Sequence, residues 1–122
     1  MLDLEIDSPE RVADVRHRIR DELAAAGIDQ PELDDLILVA NELIGAAFDA
    51  DIASPLRVSV KRHRRLTSIR VQCGQAFRLA DDPMHLRERV LQGITVAHGQ
   101  RRNFDNSVVL WAEVPIGRVQ PQ

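Results

Sequence analysis

The chain has 122 residues, of which 44% are hydrophobic and 29% charged, the balance of an ordinary globular domain rather than of a disordered or fibrous chain. Aromatics are scarce at 3%, with Trp111, three Phe and no Tyr, which argues against a stacking platform for single-stranded nucleic acid. A net charge of −3 supplies no long-range field to collect nucleic acid, and the lone Cys73 excludes an intrachain disulfide and a cysteine-based zinc site.

Leu2, Leu4 and Ile6 alternate with Asp3, Glu5 and Asp7, the period of two expected of a half-buried strand. Asp7-Ser8-Pro9-Glu10 comes next, in which Ser8 is placed to cap a helix, Pro9 to occupy its first turn and Glu10 to face the positive end of its dipole. Val12, Val15, Ile19, Leu23 and Ala26 recur every three or four residues, and Gly27 suits a left-handed stop. A second helix opens at Pro31. Its stripe of Leu33, Leu36, Ile37, Ala40, Leu43, Ile44, Ala47 and Phe48 matches helical spacing, while Leu38, Val39, Glu42, Ala46 and Asp49 form a second face that is also partly apolar. A shallower environment is expected there.

Leu56, Val58 and Val60 alternate with Arg57, Ser59 and Lys61, and Ile69, Val71 and Cys73 repeat the pattern beyond a His63-Arg64-Arg65 tip, which predicts a hairpin. Gly74 to Asp82 reads as a loop. Pro83 opens a third predicted helix through Leu86, Val90, Leu91, Ile94 and Ala97, ending at Gly99. Val108 to Val114, nearly continuously apolar, reads as a strand inside a sheet. Four strands and three helices in this order predict an α+β fold: a two-layer α/β sandwich with a mixed or antiparallel sheet and helices on one face.

The helix VANELIGAAFDA, the hairpin LRVSVKRHRRLTSIRVQ, the helix RERVLQGITVAHG and the strand VVLWAEV resemble, in order and spacing, the anti-sigma-factor serine kinases of the histidine-kinase-like (GHKL) ATPase superfamily, which have the Bergerat fold. The resemblance covers essentially the whole chain and implies one such domain over residues 1–117, with 118–122 a tail. It rests on the scaffold pattern and on Glu42-Leu43 of the first ATP-binding motif.

The polar signatures of that family are absent. The resemblance places a catalytic Glu at Glu42, a vestigial candidate, and a magnesium-binding Asn four residues later, where this chain has Ala46. Ala46 has no oxygen for a hard cation, and Asn41 points about 100° away around the helix. The family's adenine-reading Asp, in an Asp-x-Gly-x-Gly motif, falls near Cys73-Gly74, with Gln72 the alternative if the register slips. A Gly-x-Gly phosphate cradle is replaced by His85-Leu86-Arg87-Glu88-Arg89, and Gly74 to Asp82 is short for an ATP lid. A degenerate pocket at Glu42, Ala46, Cys73, Gly74 and Arg87 is therefore expected to hold neither magnesium nor ATP in working fashion. Losing the Asp and the metal ligand alone removes roughly 3–6 kcal/mol, or about two to four decades of affinity.

Other chemistry is thinly represented. His17, His63, His85 and His98 show no metal-ligand spacing. Cys73 reads as a small apolar filler, and the basic runs at Arg16–Arg20, Lys61–Arg65 and Arg101–Arg102 read as solvated faces. Arg87 and Arg89 allow a basic mouth for an acidic peptide, set against an ordinary charged helix start. The start of the sequence lacks the basic and apolar stretches of a signal peptide, so the expected location is cytoplasmic, away from membrane and nucleic acid.

The resemblance thus implies a catalytically inactive, pseudokinase-like regulatory module in bacterial transcription control. Its implied partners are a sigma factor or a STAS-domain anti-anti-sigma protein, with homodimerisation through an exposed part of the sheet. The alternatives are a weakly active ATP-dependent serine kinase of the same type and a structural, dimeric interaction domain.

Overall fold

The alternation of the first strand survives as alternating burial: in β1 (Leu2–Ile6), Leu2, Leu4 and Ile6 are buried and Asp3 and Glu5 exposed. The structure, a computed structural model, describes residues 2–49, 55–73, 93–105 and 107–115. A short 3-10 turn at Pro9–Arg11 leads into helix α1 (Val12–Ala25). Its N-cap is Arg11, without a capping side chain. Ser8 serves the turn through its carbonyl, which accepts from the Arg11 N–H at 3.1 Å, so the expected hydroxyl cap is corrected. A three-residue 3-10 lead-in displaces the start of the α-helix beyond the reach of Ser8.

Gly27 ends α1 as anticipated, with φ +84°. Gly27 N–H donates to the carbonyl of Ala24 at 3.0 Å and Ile28 N–H to that of Leu23 at 3.2 Å, the paired bonds of a Schellman stop. Leu23 and Ile28 are both buried, as the apolar contact of that motif requires.

Helix α2 (Gln30–Asp49) buries more than one stripe. Leu33, Leu36, Ile37, Ala40, Leu43, Ile44 and Ala47 enter the core as expected, but so do Val39 and Ala46, each with 0% exposure. The shallow environment is confined to Leu38, 41% exposed, and to half-buried Asn41, Glu42 and Gly45.

Strands β2 (Leu56–His63) and β3 (Leu66–Cys73) form the hairpin. It turns at Arg64, whose φ of 54° lies in the left-handed region. β5 (Val108–Pro115) pairs with β3 on one side and β4 (Ala97–Arg102) on the other, in a five-stranded sheet of order β1-β2-β3-β5-β4. All four neighbouring pairs are antiparallel, so the sheet is not mixed.

The expected third helix therefore does not reach Gly99. Gly93 and Ile94 are helical, the chain leaves the helix at Thr95, and Ala97–Arg102 pair with Val108–Glu113 as a fifth strand. The rest of that expected helix, and the tail at 118–122, lie outside the described residues. Polar groups of three residues close the β4–β5 hairpin. Asn103 N–H donates to Ser107 O at 2.8 Å, Asn103 Nδ2 to Ser107 Oγ at 3.0 Å, and the Ser107 hydroxyl and N–H both donate to Asp105 Oδ1.

The result is α+β in two layers. α1 packs on β1 and α2, and α2 on β3 and β5. The core between layers is aliphatic: Ile6, Ile19, Leu23, Leu36, Leu43, Ile44, Leu56, Val58, Ile69 and Leu110 are all at most 1% exposed. At about 25 cal/mol per Å2 of apolar surface removed from water, such side chains supply the main stabilising term.

Candidate functional site

The expected pocket is built on the C-terminal half of α2 and the end of β3. Glu42 and Ala46 are four residues apart and hence on one side of α2, but they end in different surroundings. Glu42 is half-buried, whereas Ala46 is sealed into the same apolar cluster as Cys73. Alternation along β3 decides which residue could take the place of the adenine-reading acid. Gln72 is exposed on the sheet face away from the helices, and Cys73 is 1% exposed on the face toward them. Of the remaining expected site residues, Gly74 and Arg87 lie outside the described residues, as do His85 and Arg89.

Burial pushes the Cys73 thiol up from its ordinary 9.0 to about 12, because an apolar surrounding penalises the thiolate. At neutral pH it is an uncharged, weak hydrogen-bonding group; its Sγ lies 3.9 Å from the carbonyl oxygen of Val71. For the magnesium nucleotide that the resemblance implies, these side chains do not fit. A methyl group stands where an oxygen ligand is needed, and a neutral thiol stands where a carboxylate would accept from adenine.

Elsewhere the expected chemistry stays dispersed. His17 and His63 are exposed, and His98 Nδ1 lies 3.1 Å from the Thr95 hydroxyl. Among the described residues, no three His, Cys, Asp or Glu side chains gather as a metal site would require. Cys73 also borders an open cleft of about 380 Å3 with Glu5, Gln72, Asp105 and Ser107. The Asp105 carboxyl is held below its ordinary pKa there, first by the Ser107 hydroxyl and then by the Ser107 N–H. Those bonds are internal to the hairpin turn, so they explain the shift without a ligand. Among the described residues, no helix is long and apolar enough to cross a membrane.

A second cleft was not singled out from sequence. On the outer face of the sheet, about 180 Å3 is lined by Ser68, Arg70, Arg101, Val109, Trp111 and Glu113. Three adjacent strands supply it: β3, β5 and β4. Alternate positions of the paired strands β3 and β5 place Ser68, Arg70, Val109, Trp111 and Glu113 on one face, and Arg101 joins them only through β4. Gly99 opposes Trp111 in the ladder. A Cβ at Gly99 would stand 3.2 Å from Trp111 Cζ2, so the absence of a side chain there leaves room for the indole to lie across the strand.

No protein-family model and no curated protein matches this chain.

Proposed function

We propose that the chain is a catalytically inactive regulatory module of the anti-sigma-kinase-like type, with the Bergerat arrangement of its two layers, acting by protein contact in bacterial transcription control. The observation that carries this reading is Ala46. A residue with 0% exposure occupies the helix position at which the resemblance calls for a metal-binding amide. Cys73, buried and uncharged at neutral pH, supports it from the facing strand. In this reading Glu42 is a vestige, neither ATP nor magnesium is a cofactor, and the module works in the cytoplasm as a homodimer.

A sigma factor or a STAS-domain anti-anti-sigma protein is the proposed partner. Without phosphoryl transfer, one partner displaces the other by competition, so occupancy is set by concentration and affinity alone. Titration calorimetry with magnesium-ATP tests the vacancy: no heat of binding is expected at micromolar nucleotide. Binding at that affinity, or phosphate transfer to a STAS-domain protein, would favour the weakly active kinase instead. Failure of purified sigma factor and STAS-domain proteins alike to associate with the chain would leave the purely structural reading.

A further inference from the structure

We infer that the outer sheet face around Trp111 docks an acidic segment of a protein partner, with a carboxylate held by Arg70 and Arg101 and neighbouring apolar groups resting on Trp111, Val109 and Phe104. The cleft of about 180 Å3 is smaller than the roughly 300–1,000 Å3 of sites that enclose a small molecule. It matches a single inserted side chain. Its floor is apolar: Val109 is only 6% exposed although it lies outside the core cluster beneath the helices.

Charge selects the occupant. Arg70 and Arg101 are exposed, and among the described residues neither forms a side-chain hydrogen bond or ion pair. The Glu113 carboxylate in the same lining is likewise unpaired among the described residues, so one carboxylate stands against two guanidiniums. On the opposite side of this face, Arg57 is matched by Asp3 at 3.0 Å. Two unmatched guanidiniums thus stand beside the indole, on a chain whose net charge is −3. A guanidinium pair next to an apolar floor suits a carboxylate carried on an aliphatic stem.

The surface continues past the cleft. Arg101 also lines a neighbouring open groove with Arg102, Asn103 and Phe104, and Phe104 stands fully exposed at the hairpin tip. The hydrogen bonds of Asn103, Asp105 and Ser107 fix that tip, so the ring is presented on a rigid support. An extended acidic segment with an interspersed leucine would meet guanidinium, indole and phenyl groups in succession.

Trp111 is the only Trp and there is no Tyr, so intrinsic fluorescence reports on the cleft directly. The probe is a capped octapeptide, Glu-Glu-Leu-Glu-Glu-Leu-Glu-Glu, titrated into the full chain beside its all-Gln counterpart. A saturable change in Trp111 emission is expected, about tenfold tighter for the Glu peptide and weakening with added salt. Arg70→Glu and Arg101→Glu should each weaken it by about tenfold or more, and Arg70→Gln and Arg101→Gln by less, with circular dichroism confirming the fold of each variant. Phe104→Ser should weaken it without altering the salt slope. No saturable change, equal binding of the Gln peptide, or indifference to the Arg variants would overturn the inference. So would equal binding of oligo-dT, or self-association that hides Trp111 in the free protein. The inference does not rest on the vacant pocket: magnesium-ATP titration and peptide titration can each fail while the other succeeds.

Discussion

Replacing Ala46 by Asn would place on α2 the metal-binding amide that the proposed kinship calls for, and the structure predicts that it damages the protein instead. The side chain at this position has no exposed surface, so added atoms must displace close-packed neighbours. Overpacking costs about 1–3 kcal/mol. A buried amide left without partners costs a further 1–3 kcal/mol or so, and the lower helix propensity of Asn adds roughly 0.7 kcal/mol. The total is about 3–7 kcal/mol, against the roughly 5–15 kcal/mol by which domains are stable. In urea, with a slope of about 1–3 kcal/mol/M, the midpoint should fall by at least about 1 M. Leu38→Asn on the same helix, at a position 41% exposed, should cost less, about 1–2 kcal/mol from lost burial and propensity. If Ala46→Asn were as stable as the parent and gained stability with magnesium-ATP, polar space would exist beside residue 46 and the vacancy argument would fail.

Three single groups give further tests. Because burial lifts the Cys73 thiol from 9.0 to about 12, the folded chain keeps a proton between those values that the unfolded chain releases. Its contribution is complete below pH 9.0 and is lost as pH rises toward 12, at up to about 1.4 kcal/mol per pH unit; urea midpoints of Cys73→Ala should lack that slope. Thr67 is wholly buried with an unpartnered hydroxyl, so Thr67→Val should raise stability by about 1–2 kcal/mol in the same assay. Arg64 holds φ 54°, a conformation that disfavours a side chain by roughly 1–2 kcal/mol. Arg64→Gly should therefore gain up to about 1 kcal/mol after its extra unfolded-state entropy, and Arg64→Val should lose stability, both measured by thermal melts.

Much of the fold was legible because amphipathic periods survive wherever one face is buried. β1, β2 and β3 alternate in sequence and in burial alike, and Gly27 announced the end of α1. β4 was missed for the converse reason. It lies at the sheet edge, where Ala97 to Gln100 are only half-buried and Arg101 and Arg102 exposed, so its sequence carries almost no period of two. The spacing of Val90, Leu91, Ile94 and Ala97 then extended a helical pattern through it. The usable signal lay on either side: β-branched Thr95 and Val96 before the strand, and the turn-forming Asn103 and Asp105 after it.

The candidate pocket shows a similar division. Helical geometry placed Glu42 and Ala46 on one side of α2, but the sealing of Ala46, like that of Val39, depends on tertiary neighbours that periodicity does not name. The register question between Gln72 and Cys73 needed only the parity of β3, which Ile69 and Val71 already set. The outer cleft needed β4, and was hidden with it.

The position of β5 constrains the order in which the molecule can be completed. This strand lies between β3 and β4, so a nascent chain that has emerged only as far as residue 105 holds two disconnected parts of a sheet. β3 would then offer bare amides and carbonyls along Ile69 and Val71, an invitation to pair with another strand. Closure must wait until Val108–Pro115 has left the ribosome and slots into the gap, with β4 as its hairpin neighbour. Synthesis that pauses shortly before that segment leaves the chain at its stickiest.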